Sequence, residues 1–173
     1  MVKKISRKLS LKLKLYNMIT IDELKKKQTT KTRLIGLDLG SKRIGVAISD
    51  ENQKIATPFK TLQNNGLKNL ISDLSVIIDE NKIGGIIIGN PINMDGSFGK
   101  ASQSVTDISK NISKSVDINV SLWDERLSTV GAFNLSSQLD INVSKREKKI
   151  DQNAAAFICL LYTSPSPRDR PLS

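Results

Sequence analysis

Residues 33–49 read Arg33-Leu34-Ile35-Gly36-Leu37-Asp38-Leu39-Gly40-Ser41-Lys42-Arg43-Ile44-Gly45-Val46-Ala47-Ile48-Ser49, two apolar runs around a short polar turn. Apolar runs of this length joined by Gly40-Ser41-Lys42 predict a β-hairpin with strands over 33–39 and 43–49. Asp38 interrupts the first run near its end. A carboxylate among apolar neighbours is costly unless a cation or hydrogen-bond donors compensate it. Gly36, Gly40 and Gly45 leave room for a ligand to approach the backbone closely. The plainer reading of the same position is an Asp that caps the hairpin turn.

Outward from the hairpin, strand and helix patterns alternate. A third strand is predicted through 53–60, stopping near Pro58, because proline supplies no backbone donor. Leu67, Leu70, Ile71, Leu74, Ile77 and Ile78 share one face of a helix over 66–81. Ile83-Gly84-Gly85-Ile86-Ile87-Ile88-Gly89 is short and β-branched, the pattern of a strand buried on both faces. Phe98, Ala101, Val105, Ile108 and Ile112 recur at helical spacing, and Ile118 to Trp123 reads as a fifth strand. Helices over 127–139 and 146–161 follow. The order β-β-β-α-β-α-β-α-α implies an α/β fold, a mixed five-stranded sheet flanked by helices.

Composition narrows the chemistry further. The 173 residues suffice for one domain with its own core, and 38% hydrophobic with 25% charged residues suits a globular chain. No apolar run approaches the roughly 20 residues that span a bilayer, so no membrane partner is expected and the protein is placed in the cytoplasm. There is no His, which excludes a Ser-His-Asp triad and His-bound zinc. Cys159 is the single Cys, so neither an internal disulfide nor a multi-Cys metal site can form. Catalysis must rest on carboxylates, Lys, Arg, hydroxyls or backbone groups. Carboxylate sites suit hard cations such as Mg²⁺ or Mn²⁺.

The formal net charge is +10, but residues 1–17 carry Lys3, Lys4, Arg7, Lys8, Lys12 and Lys14 without an acid, which leaves +4 for the rest. A mildly basic body is consistent with a polyanionic partner. Residues 1–31 read as an unstructured basic leader, within which Met18 offers an alternative start to a short helix capped by Thr20. Residues 32–161 form the predicted domain. Residues 162–173, from Tyr162 to Ser173, carry Pro165, Pro167 and Pro171 and break off a convincing amphipathic pattern. They resemble translated adapter read-through and are read as a non-native tail.

Two further acids stand at element ends. Glu125, in Trp123-Asp124-Glu125-Arg126, falls where the fifth strand gives way to a helix, and ligands of open α/β sheets bind beyond the carboxyl ends of strands. Acids at a helix start also satisfy the helix dipole, and spacing alone leaves open whether Asp124 or Glu125 faces a ligand. Asp151 precedes Asn153-Ala154-Ala155-Ala156, small residues that would let its helix approach the sheet closely. A salt bridge to Lys148 or Lys149 is the plainer alternative. Three such acids could hold two cations, one activating a water and both neutralising a leaving oxygen, which is what phosphodiester hydrolysis requires.

Four linked stretches also carry a resemblance. Gly36-Leu37-Asp38-Leu39-Gly40-Ser41-Lys42-Arg43-Ile44-Gly45-Val46-Ala47, Ile88-Gly89-Asn90-Pro91-Ile92-Asn93-Met94-Asp95-Gly96-Ser97, Asp124-Glu125-Arg126-Leu127-Ser128-Thr129 and the Asp151 start together resemble the YqgF/RuvX family. Its members are Holliday-junction-resolvase-like proteins, also described as pre-16S ribosomal RNA nucleases. The resemblance implies a ribonuclease H-like fold and Mg²⁺- or Mn²⁺-dependent phosphodiester hydrolysis, with pre-rRNA as the favoured partner and junction DNA as the alternative. By motif position it assigns Asp38, Glu125 and Asp151 as catalytic acids and metal ligands. It also implies a loop beside the site, built from Gly89-Asn90-Pro91 and Asp95-Gly96. Asn90 is thereby a candidate substrate contact, and so are Arg43 and Arg126, whose forks match phosphate geometry. Val130-Gly131 departs from the acidic residue common in the family after the third stretch, and Gly131 weakens a helix by about 1 kcal/mol relative to Ala.

Two other readings compete. The first phosphate loop of actin-like ATPases is also a D-x-G hairpin, but that class needs two such domains and this length provides one. A catalytically silent nucleic-acid-binding module of the same fold usually lacks the acids, whereas all three are present here.

Overall fold

The computed structural model describes residues 18–27 and 31–125. Helices expected over 127–139 and 146–161, residues 1–17 and the tail lie outside them. The described elements are α1 (Ile21–Lys27), β1 (Arg33–Leu39), β2 (Arg43–Ser49), β3 (Ala56–Gln63), α2 (Leu67–Asn81), β4 (Ile83–Asn90), α3 (Lys100–Ser115) and β5 (Asn119–Asp124). The strands make one sheet in the order β3-β2-β1-β4-β5. β2 runs antiparallel to both of its neighbours, whereas β1, β4 and β5 run parallel, so their carboxyl ends share one edge.

The predicted hairpin forms with the expected bounds. Asp38 pairs with Gly45, and the Gly40 amide donates back to the Asp38 carbonyl at 3.2 Å. A Cβ on Gly40 would collide with the Arg43 carbonyl oxygen, so the tightness of this turn demands glycine.

Alternation along the strands divides the sheet into two faces. Ile35 and Leu37 of β1, Ile86 and Ile88 of β4 and Val120 of β5 pack in one cluster with Leu70 and Leu74 of α2 and Val105 and Ile112 of α3. The residues between them point to the second face, where Leu34, Ile87 and the partly buried Trp123 meet Leu24 of α1. This two-sided burial is why β4 reads as a nearly continuous apolar run.

Three expectations change. β3 spans Ala56–Gln63 and runs straight through Pro58, which pairs with Ala47 beside a register shift between Val46 and Ala47. β3 is the sheet's outer strand, where a missing donor costs no ladder bond, so Pro58 does not end it. α3 starts at Lys100 rather than at Phe98, and its buried face is Ser102, Val105, Ser109, Ile112 and Ser113, leaving Phe98 61% exposed. The serines are small enough to bring the helix close to the sheet, and Ser109 and Ser113 return their hydroxyls to backbone carbonyls of their own helix.

The leader expected over 1–31 ends earlier along its described part. Met18 bridges Val120, the Ile19 amide donates to the Val120 carbonyl at 2.9 Å, and Leu24 of α1 is fully buried. Thr20 caps α1 as its position predicts: the Glu23 amide donates to Thr20 Oγ1, and the Thr20 amide donates back to Glu23 Oε2 at 2.8 Å. Residues 18–27 therefore belong to the folded body, because Ile19, Ile21 and Leu24 give them an apolar face for the sheet.

Candidate active site

Parallel strands carry their last residues to a common edge, and the sheet's acids gather there. Asp38 is the penultimate residue of β1, Asp124 is the last of β5, and Glu125 follows it directly. Asp38 alternates with Leu37 and Leu39 and so lies on the second face. In β5, Val120 and Leu122 pack in the main core and Trp123 in the second cluster. Continuing that alternation places Asp124 on the α3 face, opposite its strand partner Asn90, while Glu125, just past the end of β5, lies near enough to Asp38 to feel its charge.

Glycine separates the two. β4 lies between β1 and β5, and its Gly89 pairs with Trp123 and falls one step beyond the Leu37–Ile88 pair. Gly45 occupies the corresponding position on the other side of Asp38. Asp38 is thus flanked on both neighbouring strands by residues without a side chain. With β4 between them, strand spacing puts β1 and β5 roughly 10 Å apart at this edge.

Electrostatics supports that placement. Burial, then the charge of Asp38, then that of Asp124, push the Glu125 carboxyl up to about 7. Two like charges close enough to oppose ionisation, in a partly desolvated place, form a site suited to a cation. Carboxylate oxygens are the donors that hard divalent ions prefer, so the residues present fit such an ion. Among the described residues no three His, Cys, Asp or Glu side chains gather closely enough to hold a metal. Asp124, turned to the opposite face, does not complete a cage. Asp151, the third acid expected, and Arg126 lie outside the described residues.

Arg43 begins β2, two residues before Gly45, and so stands on the Asp38 face near the same edge. Asn90 takes the other direction. It is 4% exposed, and Ser102 Oγ of α3 donates to its Oδ1 at 2.7 Å. The structure therefore brings Asp38 and Arg43 to one face and Glu125 to the same edge, and it places Asn90 beneath that edge as a tie to α3. Ser102 was not singled out by sequence reasoning, and Gly89 and Asn90, expected in a loop beside the site, are instead the last residues of β4.

The loop leaving β4 is rigidly made. Asp95 Oδ1 accepts from the Ser97 amide and hydroxyl at 2.8 and 2.6 Å, and Asn93 donates through Nδ2 to Ser97 Oγ at 2.9 Å. Gly96 takes φ 85°, the left-handed conformation that glycine allows, and its amide donates to the Asn93 carbonyl.

A mixed sheet of this order, with β2 antiparallel to its neighbours and β1, β4 and β5 parallel, is the ribonuclease H-like fold. The solved structure of T. thermophilus RuvC in complex with Holliday junction substrate shares the fold, with TM-score 0.50 and 7% identity over 76% of this chain and 93% of that one. The chain belongs to the RuvX family, described as Holliday junction resolvase, whose profile matches residues 32–162. A Pelagibacter ubique protein named "Putative pre-16S rRNA nuclease" is 68% identical over 141 residues, covering 82% of this chain and 93% of that protein. A Nitrobacter hamburgensis protein of the same name is 43% identical over 125 residues, covering 72% and 77%.

Proposed function

We propose that this chain is a divalent-metal-dependent endonuclease that hydrolyses nucleic-acid phosphodiester bonds, and that its reaction is maturation of the 5′ end of pre-16S ribosomal RNA in the cytoplasm. The observation that carries the proposal is the nearness of Glu125 to Asp38 at the shared carboxyl edge of β1 and β5, with the Glu125 carboxyl raised to about 7 by burial and its acidic neighbours. The RNA assignment rests on the names of the Pelagibacter and Nitrobacter relatives.

Asp38, Glu125 and Asp151 would hold the cation, Mg²⁺ or Mn²⁺. When bound, it supplies an activated water and neutralises charge on the departing oxygen. The chain's own groups position the substrate. Arg43 and Arg126 take the phosphate through their planar guanidinium forks. Asn90, held by Ser102, fixes the end of β4 and so the floor between the two carboxylates. The small residues of the second face, among them Gly36, Gly45, Ala47 and Gly89, permit the close helix contact expected of Ala154, Ala155 and Ala156, which would bring Asp151 to the same edge. Mild net basicity of the body favours encounter with a polyanion.

Junction DNA is the second reading, favoured by the family's description as Holliday junction resolvase. The deciding experiment offers the purified protein a pre-16S precursor RNA and a four-way DNA junction, each with Mg²⁺, Mn²⁺ or EDTA. Cleavage of the RNA at a discrete site with either metal, and none in EDTA, is expected. Cleavage of the junction alone would replace the RNA assignment, and cleavage unaffected by EDTA would remove the metal from the mechanism.

A further inference from the structure

Phe98 and Met94, on the loop that leaves β4, are among the large apolar side chains that the fold leaves exposed. Helical spacing assigns Phe98 to the buried face of α3, yet the helix starts two residues later and Phe98 remains 61% exposed, with Met94 87% exposed on the same loop. An apolar residue just before a helix cap ordinarily packs against the fourth helical residue. That position is Gln103 here, whose side chain donates to the Phe98 carbonyl instead, at 3.5 Å. Phe98 therefore has no capping role to account for it.

The loop that carries both side chains is not a loose one. The Asp95–Ser97 and Asn93–Ser97 bonds brace it, and the Asn93 amide donates to the Ser97 carbonyl at 3.1 Å. It rises from the carboxyl end of β4, the strand between Asp38 and Glu125. Single exposed apolar residues are ordinary. Two of them, held outward by a braced loop at the edge where the acids converge, form a surface prepared for an apolar partner.

We infer that Met94 and Phe98 form a stacking platform for an unpaired base of the nucleic-acid substrate, so that the enzyme takes strands with a single-stranded segment beside the cleaved bond. This rests on the nuclease reading above. Every base has a π-face that can lie on an aromatic ring or a thioether, and only an unpaired base can present it. Lys100, two residues further along the chain, and Lys42 and Arg43 on the hairpin at the same edge supply the positive charge that a phosphate backbone requires. Two apolar side chains are far less apolar area than a stable protein interface buries.

The test uses the full chain in EDTA, so that binding is read without cleavage. Fluorescence anisotropy compares a short single-stranded RNA carrying one 2-aminopurine with the same sequence as a duplex. The Met94→Ala/Phe98→Ala variant should bind the single strand on the order of 10-fold more weakly, keep its duplex affinity and lose the 2-aminopurine quenching seen with the parent. Phe98→Trp alone should retain all three properties. Both side chains are exposed, so an unchanged melting temperature is expected of each variant. Equal affinity of parent and double variant for the single strand overturns the inference, as does an equal loss on both substrates. If the parent binds and cleaves pre-16S RNA while the double variant matches it, the stacking platform alone fails. If the parent binds neither substrate, the nuclease reading fails with it.

Discussion

Glu125 keeps its proton to about pH 7 because burial and the charges of Asp38 and Asp124 all oppose ionisation. In the unfolded chain the same carboxyl has its ordinary value of 4.5, so the folded state binds the proton more tightly. The resulting stabilisation is complete below 4.5 and is lost as pH rises through about 7. Without metal, thermal unfolding should therefore show stability falling across that interval, and Glu125→Gln should flatten the fall. A divalent ion must displace the same proton, so Mn²⁺ affinity, measured by calorimetry, should climb with pH up to about 7 in the parent and lose that dependence in Glu125→Gln. At this scale the sequence was informative about Asp38, because a carboxylate inside an apolar strand stands out. It left Asp124 and Glu125 undivided, since the distinction depends on which face β5 turns toward the core, and that is a matter of packing.

Ser102 shows what an element needs in order to hold a site. Its hydroxyl ties α3 to the buried Asn90 at the end of β4. Ser102→Ala leaves the Asn90 oxygen buried without this donor, and urea unfolding should report a loss of about 1–3 kcal/mol. α1 offers a second case. Leu24 is fully buried against the sheet, and Leu24→Ala should cost about 2–5 kcal/mol in the same measurement. A change below about 0.5 kcal/mol, usual for surface positions, would detach residues 18–27 from the body.

Most elements were legible because their periodicity and their burial agree, as in α2, where Leu70, Leu74 and Ile77 are the buried residues. Two were misjudged for physical reasons. Pro58 reads as a terminator until the sheet order makes β3 an outer strand. The face of α3 was read from its apolar residues, but close packing against the sheet selected serines.

For the molecule as a whole, the antiparallel β3-β2-β1 ribbon and the parallel β1-β4-β5 half meet at β1, which carries Asp38 to the edge shared with Glu125. This convergence of residues 87 positions apart is a property of topology. The sequence supplied the alternation of strands and helices and the resemblance to the RuvX family, whereas strand order and facing direction came only from the folded sheet. Asp38→Asn keeps the shape of the side chain and removes its charge, so it tests that convergence directly. Pre-16S RNA cleavage in saturating Mg²⁺ should fall at least about 100-fold, the upper end of the loss seen when partners outside a metal's direct ligands are removed, with the melting temperature held or raised. Parent-like cleavage by Asp38→Asn would contradict the account.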